Sequence, residues 1–382
     1  MTGKSSSGNS STKSTRCGRR TRSSSTTSCT VARWNGPRLR RSGCQTRDRE
    51  ASAINGHARR SWLISCRVEG TDLSLHRLLL GTHTSGHAQD YIQIAHVEIP
   101  DLRVPDLSEI DERRGEAGGH GNAKKPFEFK IVQKINHPGE VNKARYQPQN
   151  PDIIASFAVD GRILVFDRSK HPLEPVADGV TRCEAELHGH EKEGFGLNWS
   201  PFHEGHLVTG GEDNTVRTWD LKSGFTGKGC TIGPSATYNV HSATVNDVQY
   251  HPVYQQLIGT ASDDLSFRII DTRVASRKTA LWSKDPAHSD GVNCISFHPT
   301  LDVLFATGSA DKTVAVWDMR NMDNKLHSLE NHKDWVMNLQ WHPQDDSILA
   351  SSSYDRRICF WDLSKIGDEQ TPQEAEDGPP EL

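Results

Sequence analysis

Five stretches of this chain repeat one pattern, and the period of that repeat limits the possible folds more than any other feature. The best copies are HGHEKEGFGLNWSP with LVTGGEDNTVRTWD (188–220), VHSATVNDVQYHP with IGTASDDLSFRIID (240–271), AHSDGVNCISFHP with FATGSADKTVAVWD (287–318) and NHKDWVMNLQWHP with LASSSYDRRICFWD (331–362). A looser copy, NHPGEVNKARYQP with IIASFAVDGRILVFD, covers 136–167. The histidines that open them, His137, His190, His241, His288 and His332, are 53, 51, 47 and 44 residues apart. A unit of that size cannot bury its own apolar face and must stack on its neighbours. Each copy reads as three strands: an alternating one ending in aromatic-x-Pro, an apolar one running into small residues, and one closing on Trp-Asp after a polar turn.

This pattern resembles the WD40 blade, so the expected fold class is an all-β WD40 β-propeller. Four copies carry His, Asp and Ser/Thr, and three of them also Trp: His190, Asp213 and Trp219; His241 and Asp264; His288, Asp311 and Trp317; His332, Asp355 and Trp361. Such side chains could be mistaken for catalytic groups. A catalytic constellation does not recur four times at blade spacing, whereas a network that satisfies buried polar groups and fixes a turn does. These residues are therefore expected to be structural, with no catalytic residue in the chain. Gly210, Gly211 and Gly308 are read as strand-end turns, because no Lys-Ser/Thr and no helix follow them as phosphate binding requires.

Charge divides the chain near Thr71. Residues 1–70 hold fifteen Lys and Arg against three Asp and Glu; the remainder holds thirty against forty-six. An acidic body argues against direct nucleic-acid binding and favours a basic partner. No apolar run reaches the roughly 20 residues that span a bilayer, so no membrane association is expected. The eight cysteines form no CxxC pair, which argues against zinc and a disulfide framework, and neither metal nor cofactor is expected.

Outside the repeats, HRLLLGTHTSG (76–86), KINHPGEVNKARYQPQNPDIIAS (134–156), ILVFDRSKHP (163–172), TGSADKTVAVWDMRN (307–321) and WDLSKIGDEQTPQEAEDGPPEL (361–382) carry a more specific likeness. They resemble the MSI-type, retinoblastoma-associated histone-binding WD40 family. GGEDNTVRTWDL (210–221) and PSATYNVHSATVNDVQYHP (234–252) are most similar to its fungal branch, subunit 2 of the type B histone acetyltransferase. The resemblance implies a seven-bladed propeller and a non-catalytic subunit that presents histones H3 and H4 to a catalytic acetyltransferase subunit. Chromatin assembly and silencing complexes are further implied partners, and nucleus and cytoplasm the implied locations.

Two binding sites follow from the same resemblance. A histone H4 helix would dock against an acidic loop matched here by Glu374, Glu376, Asp377, Gly378, Pro379 and Pro380. Its carboxylates would pair with Arg and Lys, and its prolines would lower the cost of ordering the loop. Read without the family, this stretch is an acidic tail. A top-face site for basic peptides such as the histone H3 tail would use Glu140, Asn142, Glu193 and Asn293, with Phe195 where the family usually has Tyr. Asn246 and Trp335 stand where it usually has Glu, and Met337 replaces an aromatic residue. Fewer carboxylates predict weaker binding of basic tails.

The resulting division is 1–70, a disordered basic segment; 71–365, the blades, with a mobile insertion at 101–126; and 366–382, the acidic loop, cut short. GFTGKGCTIGPSATY (224–238) is read as a blade-connecting loop. Six blades are counted where the resemblance implies seven, so the chain is expected to be truncated at its C-terminal end. One codon choice for ARWNGPRLRRSGCQT (32–46), read in another frame, gives MEWPTLTTQWLPD, a strand-like peptide similar to the family's N-terminal segment; the stretch is thus expected to be frame-shifted. The alternative function for a WD40 chain is a substrate adaptor in a ubiquitin ligase or ribosome-assembly complex, but the Asp-Gly-Pro-Pro loop speaks against it.

Overall fold

The computed structural model describes residues 32–34, 66–67, 73–100, 129–225, 229–274 and 277–366. The expected insertion at 101–126 and the loop residues Glu374, Glu376, Asp377, Gly378, Pro379 and Pro380 lie outside the described residues. Six antiparallel sheets follow one another along the chain as the blades of a β-propeller.

The fifth blade shows how sequence becomes packing. Its strands are Val292–Phe297, Leu304–Ser309, Val314–Asp318 and His327–Leu329, in that order from the axis outward. Alternation places Ile295, Phe297, Phe305 and Trp317 on one face, where they pack with Phe267 and Ile269 of the fourth blade. Cys294, Ala306, Val314 and Val316 take the other face and pack with Leu339, Trp341 and Trp361 of the sixth. Both faces are dry, so these strands read as nearly continuous apolar runs.

Each repeat turn places one residue in the left-handed region: Gly161, Asn214, Leu265, Lys312 and Arg356, with φ of 85, 62, 66, 74 and 67°. Leu265 adopts it against its own preference, at a cost of roughly 1–2 kcal/mol. The preceding aspartate offsets that cost by accepting the N–H two residues on. Thr215, Ser266, Thr313 and Arg357 donate to Asp213, Asp264, Asp311 and Asp355 over 2.8–3.2 Å.

The structure departs from the sequence reading in three places. Blades two to five carry a fourth, three-residue strand: Ala185–Leu187, Ala236–Tyr238, Trp282–Lys284 and His327–Leu329. The expected connecting loop at 224–238 also holds Cys230–Ile232, which runs parallel to Ala185–Leu187 and extends the second blade outward. Before Thr71, Ala32–Trp34 and Cys66–Arg67 both pair with Leu73–Gly81, so this stretch contributes two short strands to the first sheet.

The sixth blade has only Val336–Trp341, Ile348–Ser353 and Ile358–Asp362. Its face toward the fifth blade is buried. On the other face Ile358 and Phe360 are 66% and 65% exposed, whereas their counterparts Val314 and Val316 are 0% and 1% exposed.

Candidate functional site

The repeated polar residues close on themselves inside each blade. His190 Nε2 lies 2.7 Å from Thr209 Oγ1, which also accepts the Trp219 indole N–H at 2.9 Å, while Nδ1 meets Asp213 at 3.0 Å. The sets His288–Thr307–Trp317–Asp311 and His332–Ser351–Trp361–Asp355 repeat this within 2.7–3.0 Å. In the fourth blade His241 meets Asp264 at 2.8 Å and Thr260 at 2.7 Å. Ile270 replaces the Trp there, and the Thr260 hydroxyl turns to the Arg268 carbonyl instead. Burial opposes ionisation of Asp213, Asp264 and Asp311, but hydrogen bonds from the histidine and the turn hold all three carboxyls well below the usual range. Asp355 is held at about 2, burial again opposing and the Lys333 and Arg357 N–H groups and His332 prevailing. Burial pushes the His190 imidazole below its ordinary value. None of these groups faces an open cavity with a reactive partner; they fasten turns.

The top-face candidates occupy equivalent points where the inner strands begin. The inner strands of blades two, four, five and six each carry a register shift, between Val141 and Lys143, Val245 and Asp247, Val292 and Cys294, and Val336 and Asn338. The extra residue is Asn142, Asn246, Asn293 or Met337. A bulge re-aims one side chain out of the ladder, and the three asparagines use it to join blades. Asn142 Nδ2 donates to Glu193 at 2.8 Å, Asn246 to the Val292 carbonyl at 3.0 Å, and Asn293 to the Val336 carbonyl at 2.9 Å. Asn142 and Asn293 are therefore engaged in holding neighbouring blades together.

What remains open on this rim is mixed. Glu140 is half-buried and paired with His83, and Glu193 carries the Asn142 contact. Phe195, Trp335 and Met337 are 41%, 48% and 39% exposed. Two rim residues escaped the sequence reading. Asp263 accepts from Asn246 at 2.6 Å, and Tyr354 sets its ring 6.1 Å from that of Trp335. Asp263 stands beside the repeat aspartate and shares its type; Tyr354 is a single turn residue with no repeat to mark it. Deeper in, Lys143 of the second blade reaches Asp247 of the fourth at 3.7 Å. These blades are not neighbours, so the pair spans the axis. Burial pulls the Lys143 ammonium below its ordinary value, Asp247 opposing. Among the described residues no cluster of three or more His, Cys, Asp or Glu could hold a metal, and no helix is long and apolar enough to cross a membrane.

Fold and repeat together define a WD40 β-propeller protein. The family model "WD domain, G-beta repeat" matches residues 181–220, 233–271, 281–318 and 323–362. A second family model, describing the histone-binding protein RBBP4 and its counterpart in the CAF1 complex, matches 28–101, beginning upstream of Thr71. The chain is 62% identical to Histone acetyltransferase type B subunit 2 of Aspergillus oryzae over 313 residues, 81% of this chain and 71% of the relative. It is 58% identical to that of Gibberella zeae over 82% of this chain and 73% of the relative, and 55% identical to that of Mycosarcoma maydis over the same shares. The chain belongs to this family of type B histone acetyltransferase subunit 2 proteins.

Proposed function

We propose that this chain is the non-catalytic, histone-binding subunit of a type B histone acetyltransferase, presenting newly made H3–H4 to a separate catalytic subunit. The observation that carries it is identity of 55–62% to proteins of that name across at least 71% of their length. The family model that names histone binding, matched at 28–101, points the same way. Physics agrees with the choice of ligand: beyond residue 70 the chain holds forty-six acidic residues against thirty basic ones, a body suited to a basic partner. The non-catalytic role fits a propeller whose repeated His, Asp and Trp are consumed in its own turns.

Within this reading the acidic loop Glu374, Glu376, Asp377, Gly378, Pro379 and Pro380 takes histone H4, and the rim around Glu140, Glu193 and Phe195 takes a basic tail such as that of H3. Chromatin assembly and silencing complexes share the same platform, and the protein works in nucleus and cytoplasm. Co-purification from the source cells tests the proposal: the tagged chain should bring down H3, H4 and an acetyltransferase activity toward free H4. Recovery of ubiquitin-ligase or ribosome-assembly components without histones would overturn it.

A further inference from the structure

The inner strands start at the rim and run to the opposite end of the propeller, where a cleft of about 500 Å³ opens between the third and fourth blades. One residue accounts for its position. The residue that follows the last aromatic of the inner strand is His251, His298 and His342 in blades four to six, but Ser200 in blade three. His251 does two jobs. Its Nδ1 accepts the N–H groups of Val253 and Tyr254 at 3.0 and 2.9 Å, fixing the turn. Its Nε2 donates to the Asp302 carbonyl of the next blade at 2.9 Å, and its ring packs on Phe297 with centroids 4.7 Å apart. His298 repeats both jobs, bridging to the Asp346 carbonyl at 2.9 Å and packing on Trp341 at 4.6 Å.

Ser200 performs only the first. Its Oγ accepts the N–H groups of Phe202 and His203 at 3.3 and 3.1 Å, and nothing crosses to the fourth blade from it. Tyr250, in the place of Phe297 and Trp341, therefore lines an open cleft with Tyr238 and Trp219. Gln255, in the place of Asp302 and Asp346, lines it as well, and among the described residues no group donates to its carbonyl.

We propose that this cleft binds a planar ring bearing an N–H donor, an imidazole or an indole, lying on Tyr250 and donating to the Gln255 carbonyl. The ring takes the place that His251 and His298 fill at the next two junctions. The volume exceeds that of one such ring and lies in the range of sites that enclose a whole ligand. It admits a histidine or tryptophan side chain with its flanking backbone as well as a free heterocycle.

Ligand-observed NMR on the full chain at pH 8, with 4-methylimidazole and with a capped Gly-His-Gly peptide as probes, tests this. Saturation transfer to the ring protons is expected for both. It should vanish in Ser200→His, whose own ring fills the space, and in Ser200→Gln, which copies Gln147 of the second blade. Ser200→His should also raise the melting midpoint by about 2 °C by adding the missing bridge. Tighter binding of the peptide assigns the site to a protein partner; tighter binding of the heterocycle assigns it to a small molecule. Should Ser200→His fail to fold, Ser200→Gln decides alone. No transfer from either probe at millimolar concentration, or transfer that survives in a folded Ser200 variant, overturns the proposal.

Discussion

Replacing Thr307 by valine changes almost no volume and removes one hydroxyl from the centre of the fifth blade. Asp311 takes the Nδ1–H of His288, so Nε2 is left as an acceptor for the Thr307 O–H, 2.8 Å away. The same oxygen accepts the Trp317 indole N–H at 2.8 Å, and Thr307 is wholly buried. Valine thus strands a donor and an acceptor where water cannot reach, at about 1–3 kcal/mol each. The expected loss is about 2–5 kcal/mol after allowing for the added methyl. Serine, which the sixth blade uses at Ser351, keeps the hydroxyl and gives up one methyl, about 1 kcal/mol. Urea unfolding followed by tryptophan fluorescence, with slopes compared as well as midpoints, measures both variants. A valine variant as stable as the serine variant would refute the assignment of these residues to a structural network.

The two faces of the outermost blades should respond differently to the same change. Val314→Thr with Val316→Thr buries two hydroxyls and should cost about 1–3 kcal/mol each, whereas Ile358→Thr with Phe360→Thr should shift stability by less than about 1 kcal/mol and lower binding of an apolar dye. Acid should destabilise the protein in two stages. His137, His190 and His251 titrate below their ordinary value because burial disfavours their charged form. The unfolded chain therefore takes up protons first, and the melting midpoint should fall as pH drops through about 6.5. The depressed carboxyls of Asp213, Asp264, Asp311 and Asp355 hold their contribution above about pH 4 and lose it as pH falls toward 2. A midpoint that rises between pH 7 and pH 5 would contradict the first stage. On the rim, Glu140→Gln with Glu193→Gln should weaken an H3-tail peptide several-fold and flatten its salt dependence, measured by anisotropy at two ionic strengths; unchanged binding would remove both residues from the site.

The blades were legible because their constraint is local and repeated. A turn residue at positive φ, its aspartate, the histidine 23 residues before that aspartate and, in three blades, the closing tryptophan leave a mark in every copy. The fourth strands left none. Three residues such as Trp282–Lys284 carry no readable alternation, and they form because the preceding strand offers an unpaired edge. Cys230–Ile232 pairs parallel to a strand more than forty positions earlier, a contact that no local pattern encodes. The rim was half legible: residue type pointed to Asn142 and Asn293, but only the bulges show that their amides are taken up by the next blade. Ser200 carried its signal in plain sight, as the one serine among the residues that follow the inner strands, yet its consequence needed the cleft.

Direct titration of recombinant H3–H4 with the full chain bears most sharply on the histone-binding role. With a fluorescent label on the histone, saturable binding is expected at sub-micromolar protein near physiological salt, weakening roughly tenfold or more at about 0.5 M salt as the carboxylates are screened. No complex with folded protein at about 10 µM, or one indifferent to salt, would contradict the reading of this propeller as an acidic platform for histones.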